Sequence, residues 1–294
     1  MGKFPFKLGV ISDEVSQDLD IVIRTAKDYK LDSVEIRSVW DVKVQDLTEE
    51  HLRKLKRDLD GAGLRVISIA SPFLKCDIDN PKEYRDHISI FRRCIEIARA
   101  LDTDIVRGFT FWRKGGLEGL PKHWDSIVEK FAEPTQIAER ESITLAVENE
   151  QSCFVGTGVD LARFLSQLDS KHVKAIWDPG NAYYDDAREQ AYPVGYEALK
   201  RWIVHVHVKD VVVNRKTGKP ECVPIGTGEV DIQGQLKALK ADGYKGCVSL
   251  ETHWRPKALD EQLIARPGGR EFSSSGEYAS RVCLENIRRL LNKL

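Results

Sequence analysis

Four short stretches of the 294-residue chain carry side chains suited to chemistry: Glu148 in AVENE, Asp178 in WDPGN, His207 in VHVHVKD and Glu251 in SLETH. Each closes an apolar run. Three carboxylates and one imidazole form a donor set for a divalent cation, Mn2+ foremost, with Mg2+, Co2+ and Zn2+ also compatible. Gathered without a cation, three carboxylates would repel and raise one another's pKa values. Singly, each of these residues reads more plainly as a helix cap, a surface ion pair or a hydrogen-bonded core histidine. Four on successive runs would require all those separate explanations to hold together, so one divalent metal is the expectation.

VHVHVKD (204–210) carries a further question. In a strand, side chains alternate between faces, so His205, His207 and Lys209 point the same way. His205 lies one pleat deeper than His207 and reads as a core or supporting histidine. Lys209 lies one pleat higher, suited to a substrate oxygen or to neutralising Asp210 or Glu221.

For the four groups to meet, the chain must set them on neighbouring elements. Short β-branched runs recur as KLGVI (7–11), SVEIR (33–37), RVISIA (65–70), DIVRGFT (104–110), ITLAVE (143–148), VKAIWD (173–178), IVHVHV (203–208) and GCVSLE (246–251). Between them lie segments of helical period. Over 81–101, Tyr84, Ile88, Phe91, Ile95, Ala98 and Leu101 fall at three- and four-residue steps. Over 47–60, Leu52, Leu55 and Leu59 make the stripe, with Gly61 and Gly63 expected to terminate it.

This alternation, with no Pro/Gly/Ser-rich linker, predicts parallel βαβ units, and the nearly continuous apolar runs fit strands buried on both faces. Eight units in 294 residues predict an α/β fold, a (β/α)8 TIM barrel forming a single domain over 1–294. A doubly wound sheet is the alternative, but neither GxGxxG nor GxxxxGK[ST] follows the first run. Functional groups of such barrels sit at the C-terminal strand ends. Adjacent strands lie about 5 Å apart, so the four side chains can converge.

Glu148, Asp178-Pro-Gly-Asn181, His207-Val-Lys209-Asp210 and Glu251 together resemble the xylose isomerase-like TIM barrel superfamily, and within it the sugar (phosphate) isomerase/epimerase branch. GVISDE after the first run, VEIR in the second, IGTGEVD (225–231) and SLETHW extend the resemblance along nearly the whole chain. The resemblance implies that Glu148, Asp178, His207 and Glu251 bind one divalent metal, His207 standing at the family's ligand position. It also implies that Glu148 and Glu251 act as the acid/base pair used by ketose epimerases. The expected activity is isomerisation or epimerisation of a small sugar or sugar derivative through an enediolate.

The candidate substrate contacts are Asn181, Lys209, His253, Arg107, Glu35 and Trp112. Glu35 and Arg37 share a face and suit pairing with each other or with Lys209; Arg107 also reads as a buried ion-pair partner. Phe109, Phe111 and Trp112 in FTFWRKGG, with Trp254, suit either the C–H face of a sugar or the packing of a lid. His253 falls two residues past Glu251 and faces the mouth. The stretch 253–276 reads as the longest structureless loop. Its Arg255, Lys257, Arg266 and Arg270 suit a phosphate or carboxylate, while its interspersed acids suit solvent or a homo-oligomer contact equally.

DNA-repair endonucleases of the superfamily bind several metals through additional histidines. Here ASPFLK and GFTFW end the third and fourth runs without one, and Asn181 stands where another would be expected. With a net charge of −1, no nucleic-acid partner is expected. No run approaches spanning length, MGKFPFKLGV lacks a signal peptide's apolar stretch, and six cysteines are scattered without a CxxC pair. A cytoplasmic protein with reduced thiols and no membrane partner is the expectation. Asn181 also departs from epimerase relatives with His there, at a position tied to the substrate hydroxyl contacts. The same scaffold supports metal-dependent dehydration or β-elimination of a keto-sugar or keto-inositol, which begins with the same proton abstraction. A metal-free sugar-binding module is the non-enzymatic alternative; retention of all four ligands speaks against it.

Overall fold

Eight strands close into a barrel in the computed structural model, which describes residues 5–294. They are β1 (Lys7–Ile11), β2 (Ser33–Ile36), β3 (Arg65–Phe73), β4 (Ile105–Gly108), β5 (Thr144–Glu148), β6 (Val173–Trp177), β7 (Ile203–Val208) and β8 (Cys247–Leu250). Each coincides with one of the predicted runs. Consecutive strands neighbour one another all the way round, and β8 returns to β1 in parallel. The fold is the expected TIM barrel, not an open doubly wound sheet.

Local chemistry explains the element ends. The helix Pro81–Ala100 begins under Asn80, whose Oδ1 accepts the N–H groups of Lys82 and Glu83 at 3.1 and 3.2 Å. Pro81 fills the first turn, where a missing N–H costs nothing. The helix Glu49–Ala62 starts in a capping box between Thr48 and His51. Of the two glycines expected to end it, Gly61 lies inside the helix. Gly63 alone caps it, at φ +71°, which a side chain would strain.

β3 runs past RVISIA to Phe73. Its register against β4 slips between Ile69, opposite Val106, and Phe73, opposite Gly108. Ser71 fills the irregularity: its Oγ donates to the Arg107 carbonyl at 2.8 Å and accepts from the Phe73 N–H at 3.1 Å.

By packing, the chain divides into residues 1–67 with 206–294, and residues 68–205. In the first unit Gly9 lets β1 approach β8 closely, since a Cβ there would stand 2.6 Å from Ser249 Oγ. In the second, Phe131 meets Phe111 and Phe164 edge-on at 6.3 and 4.7 Å. Phe109 and Phe111 are therefore core residues rather than sugar-facing ones. Burying each stabilises the fold by about 1.5–3 kcal/mol. The stretch 253–276 also departs from expectation, since Glu261–Ala265 and Gly269–Phe272 are short helices. All six cysteines are free. Among the described residues no helix is long and apolar enough to cross a membrane.

Candidate metal centre

Glu148 is the last residue of β5, and Glu251 directly follows β8. His207 lies near the end of β7. Asp178 follows β6 and caps the helix Pro179–Tyr184: its Oδ1 accepts the N–H groups of Gly180 and Asn181 at 2.7 and 3.0 Å. The four are buried, and each offers a ligand atom within 4.8 Å of the others. The sequence-predicted set therefore comes together as one buried Glu/Asp/His/Glu cluster of the divalent-metal type.

Each member is held in place. In residues 68–205, Arg107 Nη1 donates to Glu148 Oε2 at 3.0 Å, while its other nitrogens donate to the Ser71 and Ala70 carbonyls at 3.3 and 3.1 Å. Arg107 is thus the buried ion-pair partner. Asn149 fixes the backbone of Asp178, accepting its N–H and donating to its carbonyl, both at 2.9 Å. Asn181 Nδ2 donates to the Asn149 carbonyl at 2.9 Å and to Glu148 Oε1 at 3.3 Å. Asn181 Oδ1 is buried with no partner. Trp112, expected to contact substrate, is half-buried and joins Cys153 in an antiparallel bridge, with Lys75 Nζ 5.5 Å from its ring centroid.

In the segments 1–67 and 206–294, His207 Nε2 stands 3.2 Å from both oxygens of Glu35. Beside a carboxylate, that nitrogen carries the hydrogen, so the lone pair falls on Nδ1, 3.7 Å from Glu251 Oε2. A histidine oriented through its distal N–H by a carboxylate is the usual support for a metal ligand. His205 joins Glu35 and His207 in a second buried group, one pleat deeper. Lys209 Nζ donates to Glu251 Oε2 at 2.7 Å, so its partner is neither Asp210 nor Glu221. Arg37 Nη1 donates to Glu251 Oε1 at 2.8 Å, and Arg37 also binds Asp13 and Glu14 at 2.9 and 2.8 Å. Arg37 therefore pairs with neither Glu35 nor Lys209.

Burial alone would raise the Glu251 pKa. Lys209, with His253, His207 and Arg37, holds it well below the usual carboxylate range. His253 (φ +47°) is pushed down to about 3 by burial and by the Lys209 charge, so its ring is neutral. Its backbone N–H donates to Glu14 Oε2 at 3.2 Å. Arg255 is buried and serves Glu14 and the Phe272 carbonyl, at 3.3 and 3.1 Å, rather than an outside anion. Asp210 has turned to its own loop, accepting N–H groups of Val211, Gly226, Gly228 and Val230 at 2.9, 2.8, 2.8 and 3.3 Å. A Cβ on Gly228 would fall 2.1 Å from Asp210 Oδ1, which explains the glycine in IGTGEVD.

Asp13, Glu14 and Asn149 escaped the sequence reading. The first two follow β1 in GVISDE, and adjacent carboxylates just past a strand end were the available signal. Asn149, the residue after Glu148, offered none.

The whole arrangement fits a divalent cation. Three carboxylates and a lone-pair imidazole nitrogen converge, the imidazole is oriented by Glu35, and the buried Asn181 Oδ1 adds an acceptor. Residues 23–270 match the family described as "Xylose isomerase-like TIM barrel", and the chain belongs to it. Among curated relatives, an inosose dehydratase of Serratia proteamaculans is 27% identical over 161 residues, which cover 49% of this chain and 53% of that protein. The chain thus spans about half the length of the curated relatives it matches. Among solved structures, a D-allulose 3-epimerase from Methylomonas sp. in complex with D-allulose superposes with a TM-score of 0.71 at 17% identity, covering 97% of this chain and 98% of that one. The IOLI protein with a bound zinc atom gives a TM-score of 0.71 at 18% identity, covering 98% and 99%.

Proposed function

We propose that the protein is a divalent-metal-dependent isomerase or epimerase of a small sugar or sugar derivative, acting through an enediolate. The observation that carries this reading is the buried four-residue cluster with two glutamates in it. Arg107 pairs with Glu148, and Arg37 and Lys209 with Glu251, so the two glutamates of the cluster are each held by buried cations. Mn2+ is the foremost candidate for the ion.

Bound by Glu148, Asp178, His207 and Glu251, the cation supplies Lewis-acid polarisation of a substrate carbonyl and its neighbouring hydroxyl. The chain's own residues move the proton. Arg107 holds Glu148 Oε2 and Asn181 Nδ2 reaches Oε1, orienting this carboxyl to exchange a proton with the substrate carbon. Glu251 starts ionised between Arg37 and Lys209. As Glu251 Oε2 takes the proton from the substrate carbon, the C–H electron pair passes to the carbonyl oxygen and the Lys209 ammonium turns to that oxygen. Protonated Glu148 then returns a proton to the opposite face of the carbon. Asn181 and His253 contact substrate hydroxyls, while Glu35 orients His207.

A second reading is favoured by the inosose dehydratase similarity: a dehydratase or β-eliminating lyase on a keto-inositol or keto-sugar, using the same base. One experiment separates the two. Metal-loaded protein is incubated in D2O with Mn2+ and a panel of ketoses, keto-inositols and 3-keto-glycosides. Deuterium at a single carbon with water retained is the expected result; deuterium with loss of water selects the lyase. Absence of exchange with every compound sinks both readings, as does full turnover by Glu251→Gln.

A further inference from the structure

A cleft of about 580 Å³ opens in the unit formed by residues 1–67 and 206–294, lined by Ser16, Gln17, Asp18, Trp40, Arg270 and Ser273. None of these belongs to the metal-type cluster. Its volume falls within the ~300–1,000 Å³ of small-ligand sites.

The walls are tied to one another. Trp40 and Asp41 form the two-residue turn of the hairpin Ser38–Val39/Val42–Lys43, at φ +56° and +62°. Such turns favour Asn-Gly, because bulky side chains are strained in the left-handed region, so this tryptophan is held there by its surroundings rather than by its own preference. Gln17 secures it: its carbonyl accepts the Trp40 N–H at 2.7 Å and its Oε1 accepts the Asp41 N–H at 3.0 Å. Gln17 Nε2 donates to the hydroxyls of Ser38 and Ser273 at 2.8 and 3.0 Å. The Arg270 N–H donates to Asp41 Oδ1 at 2.9 Å, fixing the opposite wall.

The cleft's chemistry selects its occupant. An indole, whose ring also meets His51 at 5.5 Å and the Lys54 ammonium at 5.1 Å, lines the cleft with the exposed Arg270 guanidinium, 3.7 Å from Asp41, the exposed carboxylate of Asp18 and the hydroxyl of Ser16. Opposite charges leave no net pull on an anion or a cation. Donors and acceptors interleaved around an aromatic face suit a neutral polyhydroxylated ring, with C–H groups on the indole and vicinal hydroxyls on the carboxylate and guanidinium. The cleft is also linked to the proposed reaction centre. Gln17 donates to Ser38, Ser38 Oγ to Asp13 at 2.8 Å, Arg37 to Asp13 at 2.9 Å, and Arg37 to Glu251 at 2.8 Å.

We infer that this cleft is a saccharide subsite that holds a neutral hexopyranose ring, the ring of a glycosidic substrate that is bound but not transformed. The word substrate rests on the proposed function; the binding of the ring does not. Calorimetric titration of the metal-loaded full chain with cellobiose, maltose and methyl β-D-glucopyranoside tests it, on the wild type and on Trp40→Ala, Trp40→Phe, Arg270→Ala and Glu251→Gln. At least one saccharide is expected to bind, with Kd raised about ten-fold in Trp40→Ala and in Arg270→Ala, as loss of one such contact implies. Trp40→Phe restores most of the affinity, and Glu251→Gln leaves it intact. Because Arg270 is exposed, its variant folds whether or not the Trp40 turn survives substitution. No binding by any of the three saccharides overturns the inference, and so does binding that ignores both Trp40→Ala and Arg270→Ala or that vanishes in Glu251→Gln. Failure of deuterium exchange with ring binding intact would remove only the reaction chemistry.

Discussion

Arg37 distributes one guanidinium over Asp13, Glu14 and Glu251, and all four side chains are buried. Removing a partner from such a network leaves uncompensated charge in a poorly solvating interior, at a cost of about 3–5 kcal/mol. Arg37→Met is expected to lose that much in urea unfolding, whereas Arg37→Lys recovers part of it through a single contact. A loss under 1 kcal/mol would mean that water reaches these carboxylates. At this scale the legible part of the site was the part written on strand ends. Glu148, Asp178, His207 and Glu251 close successive apolar runs, so the period of the sequence announces their convergence. The partners were not legible, because pairing is a property of the folded interior. Lys209 sits beside Asp210 in sequence yet meets Glu251, while Asp210 is taken up by four backbone amides. Asp13 and Glu14 meet Arg37 more than twenty positions away, a distance no local pattern encodes.

Elements show how loops after strands are fixed. Past β3, Leu74 takes the left-handed conformation at φ +64°, and its N–H donates to His87 Nδ1 at 2.8 Å. Burial holds the His87 pKa below 6.5, and protonation would remove the acceptor. The unfolded chain therefore binds this proton more readily than the folded one. The contribution is complete above the unfolded value near 6.5 and declines as pH falls below it. Stability measured from pH 7.5 to 5 should fall, with a shallower slope in His87→Gln; identical slopes would remove His87 from the account. Helix and strand positions were largely legible from period alone. Their ends were less so: Gly61 and Gly63 look alike in sequence, and only the backbone angle at Gly63 distinguishes the cap. The stretch 253–276 concealed its short helices because each spans hardly more than one turn, too little for a period to register.

For the whole molecule, we propose a single domain, the eight strands forming one closed sheet. Calorimetry of the metal-loaded protein is expected to show one transition; two well-separated transitions would refute this. An ion that binds only the folded state stabilises it by about 2.7 kcal/mol at a hundred-fold excess over Kd. For a chain of this size that corresponds to a Tm rise of roughly 4–8 °C on adding Mn2+ to chelator-treated protein. Asp178→Asn should abolish most of the rise, and a rise that survives it would place the ion elsewhere. The barrel class was legible because eight alternating units leave few ways to close a sheet; the packing within it was not. The turn that follows β7 bears on what the molecule can accept. Loops after the seventh and eighth strands of these barrels often cradle phosphate with their amides. Here the amides of Gly226, Gly228 and Val230 are taken by the tethered carboxylate of Asp210, at an effective concentration that a dissolved anion would have to outcompete. At this turn the backbone donors are already satisfied from within the chain by Asp210.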